Sequence, residues 1–232
     1  MTYDSRTTVV LGPACAITLG VTETLRKAGN DVTIEPGYVG AASTTACVDG
    51  VVLVVGAPDA YGLDAGDLHS YLSVIATAAG RIEWLMAGDA THDRSVVLVA
   101  PSVGSSLRAG PTAVSAATGL LRGLSQAWAV EWGGRGVRCN LVQPGILDTD
   151  AHVDHQPATI PLHRPEGRTG TAQDVADAAA FLSSSDAAYL SGVELDVDGG
   201  LSENRQSLLS VLWAEGSLTP EQNPFARLLG KA

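Results

Sequence analysis

The chain has 232 residues, 45% hydrophobic and 17% charged, a balance that suits one globular domain with a buried core and excludes a disordered chain. Its formal net charge of −11 argues against nucleic acid or an anionic membrane surface as a partner, because both need a positive footprint. No apolar run approaches membrane-spanning length, and Met1-Thr2-Tyr3-Asp4 gives no expectation of a signal peptide. Cys15, Cys47 and Cys139 are scattered without metal-ligand spacing, so reduced, mostly buried thiols in a cytoplasmic protein are expected, and no metal.

Along the chain, short β-branched runs alternate with helix-like segments. Thr8 to Leu11 reads as a strand, Val21 to Ala28 as part of a helix closed at Gly29-Asn30, and Asp31 to Ile34 as a second strand. Val51 to Val55 and Val96 to Val99 are continuous apolar runs, as expected of strands buried on both faces. A helical pattern covers Thr112 to Trp132 and stops at Gly133-Gly134; Val137 to Val142, Ala172 to Leu182 and Val193 to Val197 read as strand, helix and strand. This order predicts a single-domain α/β fold over residues 1–200, a Rossmann-like doubly wound parallel sheet in a three-layer α/β/α arrangement. The tail, 201–232, carries an apolar patch at Leu208 to Trp213 and prolines at Pro220 and Pro224. It reads either as a helix and arm packed on a partner chain or as a disordered end.

Three stretches of the second half are specific. Gly136-Val137-Arg138-Cys139-Asn140-Leu141-Val142-Gln143-Pro144-Gly145 is followed by Thr149. Ile160-Pro161-Leu162-His163-Arg164 and Gly167 precede Asp174-Val175-Ala176 and Phe181-Leu182-Ser183. Tyr189-Leu190-Ser191-Gly192 leads to Asp196-Val197-Asp198-Gly199-Gly200. In order and spacing these resemble the short-chain dehydrogenase/reductase family, whose members move a hydride between NAD(P) and a carbonyl or alcohol.

What the resemblance implies for the site departs from the family residue by residue. The family cradles pyrophosphate with T-G-x-x-x-G-x-G at the first helix N-terminus, where glycines let the backbone approach. Here the run is Leu11-Gly12-Pro13-Ala14-Cys15-Ala16-Ile17-Thr18, which keeps Gly12 and places side chains at Ala16 and Thr18. Glu35 is a candidate for the acid that bonds the adenosine ribose, or a solvated carboxylate at a strand end. Only Pro36 to Gly50 separates the second strand from the next, where the family fits a helix and a further strand; a remnant such as Ser43 to Val48 is the most expected. The N-N-A-G turn of the family reads Val55-Gly56-Ala57-Pro58, while Pro144, Gly145 and Thr149 match positions that flank nicotinamide.

The family's proton donor is a Tyr supported by a Lys one helical turn later. Aligning the helix through Gly123-Leu124 and Glu131 puts Val114 at the Tyr position, Thr118 at the Lys position, and Ile75 near that of a helical Asn; Ser102 matches the family's Ser. No Tyr or Lys lies between Trp84 and Tyr189, so no shift of register restores the pair. Among other titratable groups, His92-Asp93 reads as a solvated turn, and His69 and Tyr71 fall on different faces of a predicted helix. Asp150, His152, Asp154 and His155 read as a polar lid in the family's substrate loop.

The leading expectation is a non-catalytic member serving as a structural or regulatory subunit of an oxidoreductase homo- or heteromer. Dimer or tetramer contacts would run through the Thr112 to Trp132 helix, with Leu121, Leu124, Trp128 and Trp132 on one stripe as interface anchors or as ordinary core. No cofactor is expected on this reading. An NAD or NADP oxidoreductase with a displaced donor, water on Ser102, is one alternative. A cofactor-free binder with an apolar cleft of Ile75, Val114 and Ile146 is another.

Overall fold

The computed structural model describes residues 6–36, 48–64, 67–87, 93–102, 111–149 and 167–202. Six parallel strands carry the fold: β1 (Thr7–Gly12), β2 (Asp31–Pro36), β3 (Gly50–Val54), β4 (Arg94–Val99), β5 (Val137–Pro144) and β6 (Glu194–Val197). Helices α1 (Ala16–Lys27), α2 (Leu68–Leu85), α3 (Pro111–Gly133) and α4 (Ala172–Ser183) connect them, with a short 3-10 turn at Pro58–Tyr61. Each element read from the sequence is present within a few residues at its ends; α1, of which Val21 to Ala28 reads as a part, starts at Ala16, where Cys15 adopts an extended N-cap conformation.

The strand order is β2-β1-β3-β4-β5-β6. The doubly wound dinucleotide-binding order is 3-2-1-4-5-6; among the described residues this sheet follows it from the second strand on, with β6 added at the far edge. Among the described residues the sheet ends at β2. The short connection between β2 and β3 accounts for this, and of the expected remnant only Val48, which is buried, lies among the described residues.

Strand alternation sorts the core into two layers. Val51 and Leu53 of β3 face a cluster with α2 and α3, while Val52 and Val54 face one with α1 and α4. All five residues of β3 and all six of β4 are buried, which is why these strands read as unbroken apolar runs. The stripe Leu121, Trp128 and Trp132 is core: the three are buried in the α2–α3 layer, with Leu124 packed against it. Of the two readings of this stripe, interface anchors or ordinary core, the packing gives core. Trp128 and Trp132 stack on each other, ring centroids 4.7 Å apart and planes 11° from parallel.

Leu201 and Ser202 close the described chain in a turn; Leu208 to Trp213, Pro220 and Pro224 lie outside the described residues. Within the described residues no helix is long and apolar enough to cross a membrane, and no group of His, Cys, Asp and Glu is arranged to hold a metal.

Candidate functional site

In open α/β sheets, ligands bind outside the carboxyl ends of the strands where the order reverses. Here that place lies between β1 and β3. A cleft of about 170 Å³ opens there, walled by Cys15 and Ile17 of the α1 turn, Val54 and Ala57 after β3, Ser102 after β4 and Thr149 after β5.

The first wall is tightly packed. A Cβ on Gly12 would stand 3.0 Å from Thr18 Oγ1 and 3.0 Å from the Val54 carbonyl oxygen, so the glycine is required by the seating of α1 on β3. Thr18 is buried beneath the helix, its hydroxyl 3.3 Å from Cys15 Sγ. The expectation that Thr18 obstructs a ligand is thus corrected: of the two replaced glycine positions, only Ala16 reaches the cleft. The Cys15 amide bonds the Pro13 carbonyl at 2.8 Å, a three-residue turn into the helix. Cys15 offers no side-chain cap, and the first turn of α1 holds no acidic residue.

The opposite wall leans on this turn. A Cβ on Gly56 would meet Ala60 Cβ at 2.8 Å and Pro13 Cγ at 3.1 Å, so the β1–α1 and β3 loops touch. Two tyrosines fix Gly56: its amide donates to Tyr61 Oη at 2.8 Å, and the Tyr71 hydroxyl donates to its carbonyl at 2.8 Å. Tyr71 is fully buried while His69 is exposed, as their spacing on α2 predicts.

Glu35 is not a solvated carboxylate. It is 7% exposed and forms a two-pronged ion pair with Arg81 of α2, at 3.0 Å from Nε and 2.7 Å from Nη2. The carboxylate holds the Arg81 guanidinium protonated more firmly than usual, and that guanidinium lies 4.5 Å from the centre of the Trp84 ring. Arg81 escaped the sequence reading; the available signal was a cation in a helix otherwise almost free of charge.

At the catalytic positions, Ser102 is buried beside the cleft. Val114 is buried and packs on Ala57, a purely apolar contact. Thr118 is half-buried. Ile75 is fully buried in the α2–α3 core, so the expected cleft of Ile75, Val114 and Ile146 is corrected; the walls are Ile17, Val54 and Leu147 instead.

Beyond β5, a Cβ on Gly145 would stand 2.6 Å from Asp198 Cβ, and Pro144 pairs with Val197. These two positions are set by the approach of the β6 turn. Asn140, fully buried, donates to the Leu190 carbonyl at 2.9 Å and accepts the Val193 amide at 3.0 Å. Arg138 donates to the Leu182 and Ser184 carbonyls at 2.8 and 3.0 Å, holding the end of α4, and pairs with Asp93 at 2.9 Å. Asp93 is therefore an ion-pair partner, not a solvated turn. Cys139 is a free, buried thiol whose pKa burial pushes up to about 12. His92, Cys47, and the loop residues Asp150, His152, Asp154 and His155 lie outside the described residues.

Residues 61–202 match the family model described as Enoyl-(Acyl carrier protein) reductase, which covers the sheet from α2 onward. The chain belongs to the short-chain dehydrogenase/reductase family. This reductase-family chain is 40% identical over 109 residues to the 3-oxoacyl-(acyl-carrier-protein) reductase of Haemophilus influenzae, 46% of this chain and 45% of that protein. It is 36% identical over 114 residues to the rat (3R)-3-hydroxyacyl-CoA dehydrogenase, 46% of this chain and 42% of that one. The matched stretch thus spans under half the length of these curated relatives. A short-chain dehydrogenase/reductase family oxidoreductase from Burkholderia thailandensis superposes with a TM-score of 0.70 at 27% identity, covering 91% of this chain and 98% of that one. A gluconate 5-dehydrogenase from Burkholderia cenocepacia in complex with NADP and tartrate shares the fold, at a TM-score of 0.67, 20% identity and coverage of 87% and 96%.

Set against the family's cofactor, the cradle fits poorly. Ala16 stands at the mouth where the family has glycine, Glu35 is tied to Arg81, and the Pro13–Gly56 contact joins the two loops over β1 and β3.

Proposed function

We propose that this chain is a non-catalytic member of its oxidoreductase family, acting as a structural or regulatory subunit of a homo- or heteromer. The observation that carries the reading is Val114, buried against Ala57 at the position of the family's proton donor. A valine gives no proton and no hydrogen bond to a developing alkoxide, and losing general acid catalysis alone costs on the order of 10²–10⁴ in rate. Thr118 one turn later supplies no charge to replace the lysine. Tight binding of NAD or NADP is not part of this reading, in keeping with the poor fit of Ala16 and Glu35.

The test is NADPH-dependent reduction of a short 3-oxoacyl thioester by the purified chain. The reading expects no turnover above the uncatalysed rate. Turnover that is abolished in Ser102→Ala would replace it with a second reading, an oxidoreductase whose proton arrives through water, which the placement of Ser102 and Thr149 on one cleft favours.

Association is proposed on the outward face of α3. With Trp128 and Trp132 turned inward, that face presents Ser115, Gly119, Gln126, Ala127 and Val130, and Val130 is 84% exposed. Light scattering of Val130→Asp should show a smaller assembly than the parent chain; an unchanged mass would remove α3 as the contact.

A further inference from the structure

We infer that the Pro58–Tyr61 turn is a lid on the switch-point cleft, hinged at Gly56 and Gly62 and latched by the Tyr61 hydroxyl. The inference concerns access to the cleft and holds whether or not the chain turns over a substrate.

The sequence places the hinges. Gly56-Ala57-Pro58-Asp59-Ala60-Tyr61-Gly62 has a glycine at each end, and its proline fixes the start of the short turn. Gly62 has a φ of +68°, and a side chain there would meet nothing within 4 Å, so the chain reverses in open space. At the other end Gly56 must lack a side chain for Ala60 to close over it, because a Cβ would stand 2.8 Å from Ala60 Cβ. Ala60 is thereby brought to the rim of the cleft, which it lines together with Cys15 and Ser102.

The bonds of the turn divide by what opening does to them. The Ala60 amide donates to the Ala57 carbonyl at 2.9 Å, a bond that travels with the turn. The Tyr61 hydroxyl instead reaches back to the base of the loop and accepts the Gly56 amide at 2.8 Å. Opening parts this bond and the longer one, 3.2 Å, from the Leu63 amide to the Pro58 carbonyl across Gly62. Tyr71 takes the other polar atom of Gly56, its carbonyl, also at 2.8 Å. The two tyrosines are unequal. Tyr71 is fully buried in the α2–α3 core, so its bond fixes the base. Tyr61 is half-buried, its ring centroid 6.1 Å from that of Tyr71, and parts from Gly56 at lower cost. A segment with glycine hinges and a partly exposed clasp opens locally before the fold does, which is how lids admit ligands.

Cys15 is the reporter. It is a free, partly exposed thiol on the wall facing the turn, whereas Cys139 is buried, its pKa pushed up to about 12, and reacts only when the core opens. In the full chain carrying Cys47→Ser, labelling of each thiol is followed by peptide mass spectrometry. Methyl methanethiosulfonate is the small reagent and fluorescein maleimide the bulky one. Tyr61→Phe removes the acceptor of the latch. The bulky reagent should then label Cys15 about fivefold faster than in the parent, the effect of one hydrogen bond on an opening equilibrium. The small reagent should change by less than about twofold, and Cys139 should stay unlabelled. An unchanged bulky-reagent rate, an equal gain for both reagents, or Cys139 labelled in step with Cys15 would each overturn the lid. So would a melting temperature that falls as far in Tyr61→Phe as in Tyr71→Phe, because Tyr61 would then be a core bond. None of these readouts needs turnover, so their failure leaves the non-catalytic reading standing, and turnover by the parent chain would sink that reading without touching the lid.

Discussion

Around β5 and β6, the polar side chains of the family motif are engaged with backbone: Arg138 holds the end of α4, and Asn140 fastens the loop before β6. Around β1 and on α3, the positions where the family meets its ligands carry Ala16, Val114 and Thr118, and a matching glycine such as Gly12 is explained by helix packing. The contrast separates two kinds of motif residue. Those that satisfy buried carbonyls and amides cannot change without leaving orphaned groups, which cost about 1–3 kcal/mol each. Those whose partner is a ligand can change once the ligand is no longer needed, with little effect on the fold.

The comparison can be broken most directly at Arg138. Arg138→Ala orphans the Leu182 and Ser184 carbonyls and leaves Asp93 paired with Arg6 alone, and should lower stability by about 3 kcal/mol in urea unfolding. A loss under about 1 kcal/mol would mean these bonds do not explain the motif.

A middle-sized effect should come from rebuilding the other half. Val114→Tyr with Thr118→Lys restores the donor pair but forces a ring against Ala57. The double variant should lose about 1–3 kcal/mol to overpacking and still reduce no 3-oxoacyl thioester. Activity in this variant would show that the cradle was sufficient and only the donor was lost.

The smallest effect concerns Asp174. Its carboxylate pairs with Arg168 and closes a capping box with Thr171 at the start of α4, and these bonds hold its pKa well below the usual 3.8. With the folded value depressed, the stability it contributes is complete above the unfolded value and declines as pH falls below about 3.8 toward the folded value. Asp174→Asn should therefore cost about 1 kcal/mol at neutral pH and flatten the acid limb of the stability profile. An unchanged limb would assign acid sensitivity elsewhere.

The architecture was legible in the sequence because strands buried on both faces leave unbroken runs, as at Val51 to Val54, and because Gly29 and Gly133 mark helix ends. That the sheet ends at β2 among the described residues agrees with the short Pro36 to Gly50 connection. At the proposed site, Val114 and Thr118 are assigned from helix register against the family pattern alone. Periodicity alone could not say which way a stripe faces: Leu121, Trp128 and Trp132 satisfy the same spacing for core and for interface, and only packing against α2 and β5 decides it. Nor could sequence pair Glu35 with Arg81, two residues on separate elements joined only by the fold.

The stacked pair in α3 has an optical consequence. Two indoles held nearly parallel 4.7 Å apart are close enough for their excited states to mix, so the folded chain should carry a paired positive and negative band in circular dichroism. The signal depends on both rings being held by the α2–α3 core. It therefore offers a readout of that layer alone, separable from the α1–α4 face during unfolding.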